Sequence, residues 1–231
     1  MVFKTKQKKL DCTVPLVANG SKIEQVTSTK FIGVMLDSNL CWDRHIHLIR
    51  GKIGKGIGII CKARKVLDQK SLITLYYSIV YPYLNYCVEV WGNCAHVYLA
   101  SLLKLQKKLV RIITSSKYYA KTNPLFIQLK FLKVTQLYNY SISILMFKFI
   151  KGMLPNIFHD IFKRNAETVS RVTRNINKLN LPLCKTELYK QSVKFQGPKI
   201  WNDLENHLNH QCSIHTFKKS CKLFLMKENT D

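Results

Sequence analysis

The hydrophobic pattern of the chain changes character at residues 30–45, KFIGVMLDSNLCWDRH. Upstream, short apolar runs read as strands. Residues 14–17 and 23–26 flank Ala18-Asn19-Gly20-Ser21, and Asn-Gly between two such runs is the strongest short signal for a hairpin. Phe31, Ile32, Val34 and Leu36 read as a further strand interrupted by Gly33. Met1-Val2-Phe3 is strand-like too, as if cut from something longer. Two or three antiparallel strands are therefore expected over residues 1–36. Asp37-Ser38-Asn39 ends them as a turn, since each side chain can hydrogen-bond its own backbone. The Asp37 carboxylate is read as part of that turn.

Downstream, apolar residues recur at intervals of three and four, the period of a helix with one buried face. Ile46, Ile49, Ile53, Ile57, Ile60 and Ala63 predict a helix over residues 42–66. Gly51, Gly54, Gly56 and Gly58 weaken it, or let another helix or a nucleic-acid backbone come close. Asp68 caps a second helix over 71–81 with Leu72, Leu75, Tyr76, Ile79 and Val80 inward, and Pro82 at or near its end. The aromatic segment 83–92 reads as a packed turn or helix end. A third helix spans 98–114, with Leu99, Leu102, Leu103, Leu105, Leu109, Val110 and Ile113 on one side. Residues 115–124 form a polar, basic loop. A strongly apolar fourth helix over 134–150 is closed by Gly152 at the position favoured by a C-terminal glycine. A short helix is expected over 155–162, and residues 163–186, with Arg164, Arg171 and Arg174, form a linker or irregular cover. A helix then a turn at Gly197-Pro198 fill 187–201, and a terminal helix covers 213–226. The fold class is α+β, mainly α. A small N-terminal antiparallel β hairpin or sheet (1–40) precedes a basic helical domain (41–162) and a C-terminal region with a terminal helix (163–231).

Charge changes this picture more than composition does. Hydrophobic residues make up 47% of the 231, ordinary for a globular protein, but 37 Lys and Arg face 13 Asp and Glu, for a net charge of +24. A surplus of that size repels itself and answers to a polyanion. Between Glu89 and Asp160 there is no acid at all, while ten lysines and arginines fall there. Lys104, Lys107, Lys108 and Arg111 line the polar side of the third helix. Lys117, Tyr118, Tyr119 and Lys121 follow in the loop. Basic side chains compensate phosphates, and exposed rings stack on bases. These eight are the candidate nucleic-acid-binding residues. Most other aromatics in the window read as core. An apolar sheet face with little to cover it makes self-association a further partner expectation. No uncharged apolar run reaches the ~18 residues of a membrane span, and MVFKTKQKKLDC has no signal-peptide core. The expected setting is nuclear or cytoplasmic, with no membrane partner. The eight cysteines then read as buried thiols rather than a disulfide framework.

Candidate chemistry is sparse. Two-metal phosphoryl transfer needs clustered carboxylates, and no two of the thirteen acids are adjacent. GKIGKGIG (51–58) lacks the Gly-Lys-Ser/Thr ending of a phosphate loop. His207, His210, Cys212 and His215 form a ligand-rich run that reads first as a polar loop before the last helix. Cys41 lies near His45 and His47, but the sequence argues no electropositive pocket for it.

Four stretches together resemble one family: FIGVMLDSNLCWDRHI (31–46), SLITLYYSIVYPYLNYCVEVWG (71–92), LLKLQKKLVRIIT (102–114), and GPKIWNDL (197–204) with HTFKKSCKLFL (215–225) beyond it. They are similar to the C-terminal part of reverse transcriptases of non-LTR retrotransposons of the jockey and LINE type. The residues that carry the resemblance are Ile32-Gly33-Val34, Trp42, His45, Pro82, Tyr86, Trp91-Gly92, Leu105-Gln106-Lys107 and Trp201-Asn202. Cys87 stands where a glycine is common, and Leu204-Glu205 where Leu-Pro is usual. The resemblance implies a palm edge followed by a thumb-like helical bundle that grips template and primer. It also implies that the Ala-Asp-Asp hairpin, which holds Mg2+ in that family, lies upstream of the matched region. The expectation is a truncated, retrotransposon-derived fragment without catalytic aspartates, metal or polymerase activity of its own, binding RNA or DNA independently of sequence. The alternatives are a domesticated protein-interaction module, or the C-terminal part of an active RNA-directed DNA polymerase whose catalytic half is missing from this chain.

Overall fold

The computed structural model describes residues 1–4, 16–168, 176, 178–204, 208 and 213–227. Two short hairpins lead into a helical body, as the α+β, mainly α reading expects. In the first, β1 (Val17–Ala18) pairs with β2 (Ser21–Lys22) across Asn19-Gly20. Both turn residues have positive φ, 49° and 75°, the geometry that matches the twist of the two strands. Residues 1–4 carry no strand, although the Lys4 N–H donates to the Ser38 carbonyl at 2.9 Å. Residues 14 and 15, the start of the expected first strand, lie outside the described residues.

The second hairpin corrects the sequence reading. Residues 31–36 are not one strand: β3 (Ser28–Phe31) turns at Ile32-Gly33 into β4 (Val34–Asp37). Ile32 takes φ 43°, strained for a β-branched side chain. Its carbonyl accepts a 2.7 Å hydrogen bond from the Tyr86 hydroxyl. Gly33 takes φ 80°, and a Cβ there would sit 3.1 Å from the Tyr86 ring. The turn is thus demanded by a tyrosine far along the chain.

At the end of β4 the Asp37 side chain is buried and accepts from three backbone N–H groups: Asn39 at 3.0 Å, Cys41 at 3.0 Å and Trp42 at 3.0 Å. Leu40 and Trp42 are left-handed, φ 51° and 65°, so the chain reverses sharply into α1 (Asp43–Ala63). Ile46, Ile49, Ile53, Ile57 and Ile60 are its buried stripe, as the spacing predicts. His45 is buried too. Its Nδ1 accepts from the Met35 N–H at 3.2 Å, which puts the ring proton on Nε2, and its ring meets Trp91 at 5.6 Å. Trp91 in turn donates from Nε1 to the Tyr86 carbonyl at 2.9 Å.

Asp68 caps α2 (Gln69–Ile79), accepting from the Ser71 N–H at 3.2 Å. Pro82 lies in the first turn of α3 (Tyr81–Asn85), where its missing N–H costs nothing. The expected packed turn over 83–92 is thus two short helices, α3 and α4 (Val88–Trp91). Among the α1 glycines, Gly56 is the one that meets a neighbour. A Cβ there would approach Val80 to 2.9 Å, so α2 packs tightly at that point. Next come α5 (His96–Ile113) and α6 (Thr122–Gln128), the latter beginning inside the expected loop 115–124 because Pro124 suits a first turn. α7 (Val134–Ile150) ends as read: Gly152 has φ 65°, its N–H reaches the Phe149 carbonyl at 3.0 Å, and Met153 reaches Lys148 at 2.8 Å.

The rest wraps α7. After α8 (Ile157–Ile161) and α9 (Asn165–Thr168), Arg164 bridges Leu179. Arg171 and Arg174 lie outside the described residues. Beyond α10 (Glu187–Lys190), α11 (Val193–Asp203) runs through Gly197-Pro198 instead of turning there. Gly197 is seated so closely that a Cβ would meet Met146 Sδ at 2.7 Å, and this packing outweighs the lost hydrogen bond at Pro198. Asn202 clamps the cover segment in both directions, accepting from the Leu179 N–H at 3.1 Å and donating to its carbonyl at 2.9 Å. α12 (Ile214–Lys227) packs Phe217 on Phe147, ring centroids 4.4 Å apart. One core runs from Val34 to Leu225.

Two outcomes follow for stability. Asp37→Ala strips the acceptor from the Cys41 and Trp42 amides and is expected to cost about 1–3 kcal/mol for each amide left unpaired. Chemical denaturation measures this, and a loss well below 1 kcal/mol would show that water replaces the carboxylate. Burial, and secondarily Lys52, lower the pKa of His45 from its ordinary value. Neutral His45 therefore stabilises the fold above the unfolded pKa of about 6.5, and this contribution fades as pH falls from there through the lower folded value. Thermal melts between pH 7.5 and 5 are expected to fall more steeply for the wild type than for His45→Phe.

Candidate nucleic-acid interface

α5 separates its two sides cleanly. Leu99, Leu102, Leu109, Val110 and Ile113 are buried, Leu103 and Leu105 are half-buried, and Lys104 and Lys108 are exposed. Lys107 and Arg111 are half-buried along the same margin, spaced so that the four cations form one stripe. Gln106 points the other way, and its burial has a purpose. It donates to the Leu132 carbonyl at 3.2 Å and accepts from the Val134 N–H at 2.8 Å, fixing α5 against the start of α7.

The loop after α5 folds back on the helix end. Ser115 takes φ 52°, the Ser116 N–H reaches the Arg111 carbonyl at 3.0 Å, and the Arg111 Nε donates to the Ala120 carbonyl at 3.0 Å. This leaves the Arg111 guanidinium 5.9 Å from the centre of the Tyr118 ring and the Lys117 ammonium 5.9 Å from that of Tyr119. Both rings are otherwise bare, 88% and 76% exposed. Lys121, exposed, precedes α6. The structure thus gathers Arg111, Lys117, Tyr118 and Tyr119 into one patch and sets Lys104, Lys107 and Lys108 along the helix leading to it. Two exposed rings each backed by a cation offer flat π faces and positive charge together.

The basic surface continues through residues that sequence reading did not single out. Burial lowers the pKa of Lys133, and the neighbouring Lys107 lowers it further. Lys222 on α12 is lowered in the same way by burial and then by Lys130. Like charges crowded in pairs cost free energy in the absence of an anion. Lys130 and Lys133 belong to the acid-free window. Lys222 is remote in sequence, and the signal that could have found it is the run Lys218-Lys219…Lys222 on one helix.

Catalytic or metal-binding clusters are not assembled alongside. Among the described residues, no group of three His, Cys, Asp or Glu side chains could hold a metal ion. His207, His210 and Cys212 lie outside the described residues, and His215 is exposed in the first turn of α12. Among the described cysteines, Cys94 and Cys221 are buried, whereas Cys61 is exposed, against the expectation of burial. Burial pushes the Cys94 thiol up to about 11. No described helix is long and apolar enough to cross a membrane.

The fold is thus a mainly helical α+β body that carries a lysine- and tyrosine-bearing face. Compared with known proteins, the chain is similar to RNA-directed DNA polymerases of mobile elements, which bears out the resemblance carried by its motifs. It is 32% identical over 120 residues, half of this chain, to the RNA-directed DNA polymerase from mobile element jockey of Drosophila funebris. It is 25% identical over 169 residues, 71% of this chain, to the probable RNA-directed DNA polymerase from transposon X-element of Drosophila melanogaster. The probable enzyme from transposon BS of the same fly is 26% identical over 115 residues. The chain spans 13% of the length of the first of these relatives and 16% of the second. No family model matches it, and no solved structure does.

Replacing Tyr118 and Tyr119 together by Ala is expected to weaken single-strand binding by roughly 30-fold or more, from ~1–3 kcal/mol for each of the two stacked bases. The thermal midpoint should be unchanged, because both rings are solvent-exposed. Fluorescence anisotropy with a labelled oligonucleotide reads this directly.

Proposed function

We propose that these 231 residues grip nucleic acid without reading its sequence and do no polymerisation themselves. Lys104, Lys107, Lys108 and Arg111 lie against the phosphates of a duplex, and Lys117, Tyr118, Tyr119 and Lys121 engage its end. The observation that carries this reading is that the acid-free stretch between Glu89 and Asp160 sets four cations along one side of α5 and backs both exposed tyrosines with cations. The relatives are named as RNA-directed DNA polymerases, enzymes that by that name hold an RNA template and a DNA product. An RNA–DNA duplex is the occupant that fits.

Magnesium would need clustered carboxylates. The acid nearest the resemblance's palm edge, Asp37, is already committed to backbone amides. The described residues therefore do not fit a two-metal site, and no step is assigned to one. The polypeptide on this reading needs no cofactor.

Titrating salt against affinity for a blunt RNA–DNA duplex tests the grip. Affinity should fall with a slope of ~0.7–0.9 per phosphate contact, and Lys104→Gln with Lys108→Gln should flatten that slope by about one per contact removed. No affinity at low salt would overturn it. Nucleotide incorporation by the isolated polypeptide would overturn the non-catalytic part.

A second reading, self-association through the hairpins, is favoured by Leu16, Val17, Phe31 and Ile32, which are 60–70% exposed. Such association would persist in high salt and weaken on Ile32→Asn. Sedimentation at two protein concentrations decides it, and a monomer at both rejects it.

A further inference from the structure

Away from the lysine stripe, an open cavity of about 600 Å³ lies between β4, the first turns of α1 and the start of α5. Its lining combines two chemistries that seldom share a surface. Leu48 and Val97 are apolar yet 46% and 76% exposed, and Tyr98 stands beside them half-buried. Arg44 and Arg50 border the same space, both exposed. Arg44 is held in place by donating from Nη1 to Ser28 Oγ. The single carboxylate in the lining, Asp43, accepts from the Arg44 backbone N–H at 2.7 Å.

We propose that this cavity receives an unpaired nucleotide of RNA or DNA that extends beyond the gripped duplex. Its base would lie against Leu48, Val97 and Tyr98, and its phosphates on Arg44 and Arg50. A nucleotide is itself a flat, weakly polar ring joined to an anion, so it matches an apolar floor with a guanidinium rim. The inference rests on the duplex reading above and adds a destination for the single strand.

The two surfaces share one ruler. Val97 and Ser101 line the cavity, and Lys104, Lys107 and Lys108 follow on the same helix. At 1.5 Å per residue, Val97 and Lys107 are separated by about 15 Å along α5. A stacked strand advances ~3.4 Å per nucleotide. An overhang of about four or five nucleotides therefore joins the stripe to the cavity.

The test compares blunt duplex, duplexes with overhangs of increasing length, and a free single strand, all by anisotropy. Wild type should gain about tenfold in affinity once the overhang reaches about five nucleotides. Arg50→Ala and, separately, Val97→Glu should each abolish that gain and leave blunt-duplex affinity unchanged. Both residues are exposed, so neither variant should fail to fold, and matching thermal midpoints would establish this. An overhang gain retained in both variants overturns the proposal. Equal loss of blunt-duplex affinity also overturns it, because the cavity would then be part of the duplex face. If blunt duplex does not bind but the single strand does, and Arg50→Ala weakens it, the cavity assignment stands and the duplex reading fails.

Discussion

The Asp37 carboxylate, holding the amides of Asn39, Cys41 and Trp42, is the junction from which the remaining geometry descends. It ends a strand, permits left-handed residues at Leu40 and Trp42, and launches α1 at a fixed angle. A carboxylate with several N–H donors is a strong, directional tie. From there a relay of contacts runs Met35 to His45, His45 to Trp91, Trp91 to Tyr86 and Tyr86 back to Ile32. The hairpin is thus fastened to the helical body at both its ends. Without that closure, a pair of four-residue strands would have little stability of its own.

The residues that carry the likeness to the mobile-element polymerases are largely the residues of this scaffolding. His45, Tyr86 and Trp91 belong to the relay, Gly33 sits close against the Tyr86 ring, and Gly92 seats α7, since a Cβ there would come 2.8 Å from the Tyr138 ring. Gln106 joins α5 to α7, and Asn202 holds the cover segment beside a buried Trp201. The face proposed to hold nucleic acid is made instead of lysines and tyrosines, several of them solvent-exposed. Scaffold residues are constrained by several partners at once. A phosphate contact asks only for a positive charge within reach of the backbone.

That division explains what could be read from the chain. The isoleucine spacing of α1, the apolar length of α7 and its Gly152 terminus are local patterns, and they fold as they read. The basic run from Lys104 to Lys121 was equally legible, being a single helix and its loop. Residues 31–36 misled because the turn at Ile32-Gly33 is imposed by a tyrosine 54 positions away. The helix through Pro198 was hidden for a similar reason, since the need for Gly197 comes from Met146 and Phe162. Lys222 escaped notice because only the folded chain brings it beside Lys130.

The repulsion that, after burial, lowers the pKa of Lys133 and Lys222 carries a consequence for handling the protein. Dissolved anions screen repulsion within the molecule and also compete with phosphates for its surface. Raising ionic strength should accordingly make the free protein harder to melt while loosening the nucleic-acid complexes proposed for it. The concentration best for storage and the one best for complex formation then lie at opposite ends of the buffer range. A dye-based melting screen run in high salt would favour the very condition in which the protein holds least.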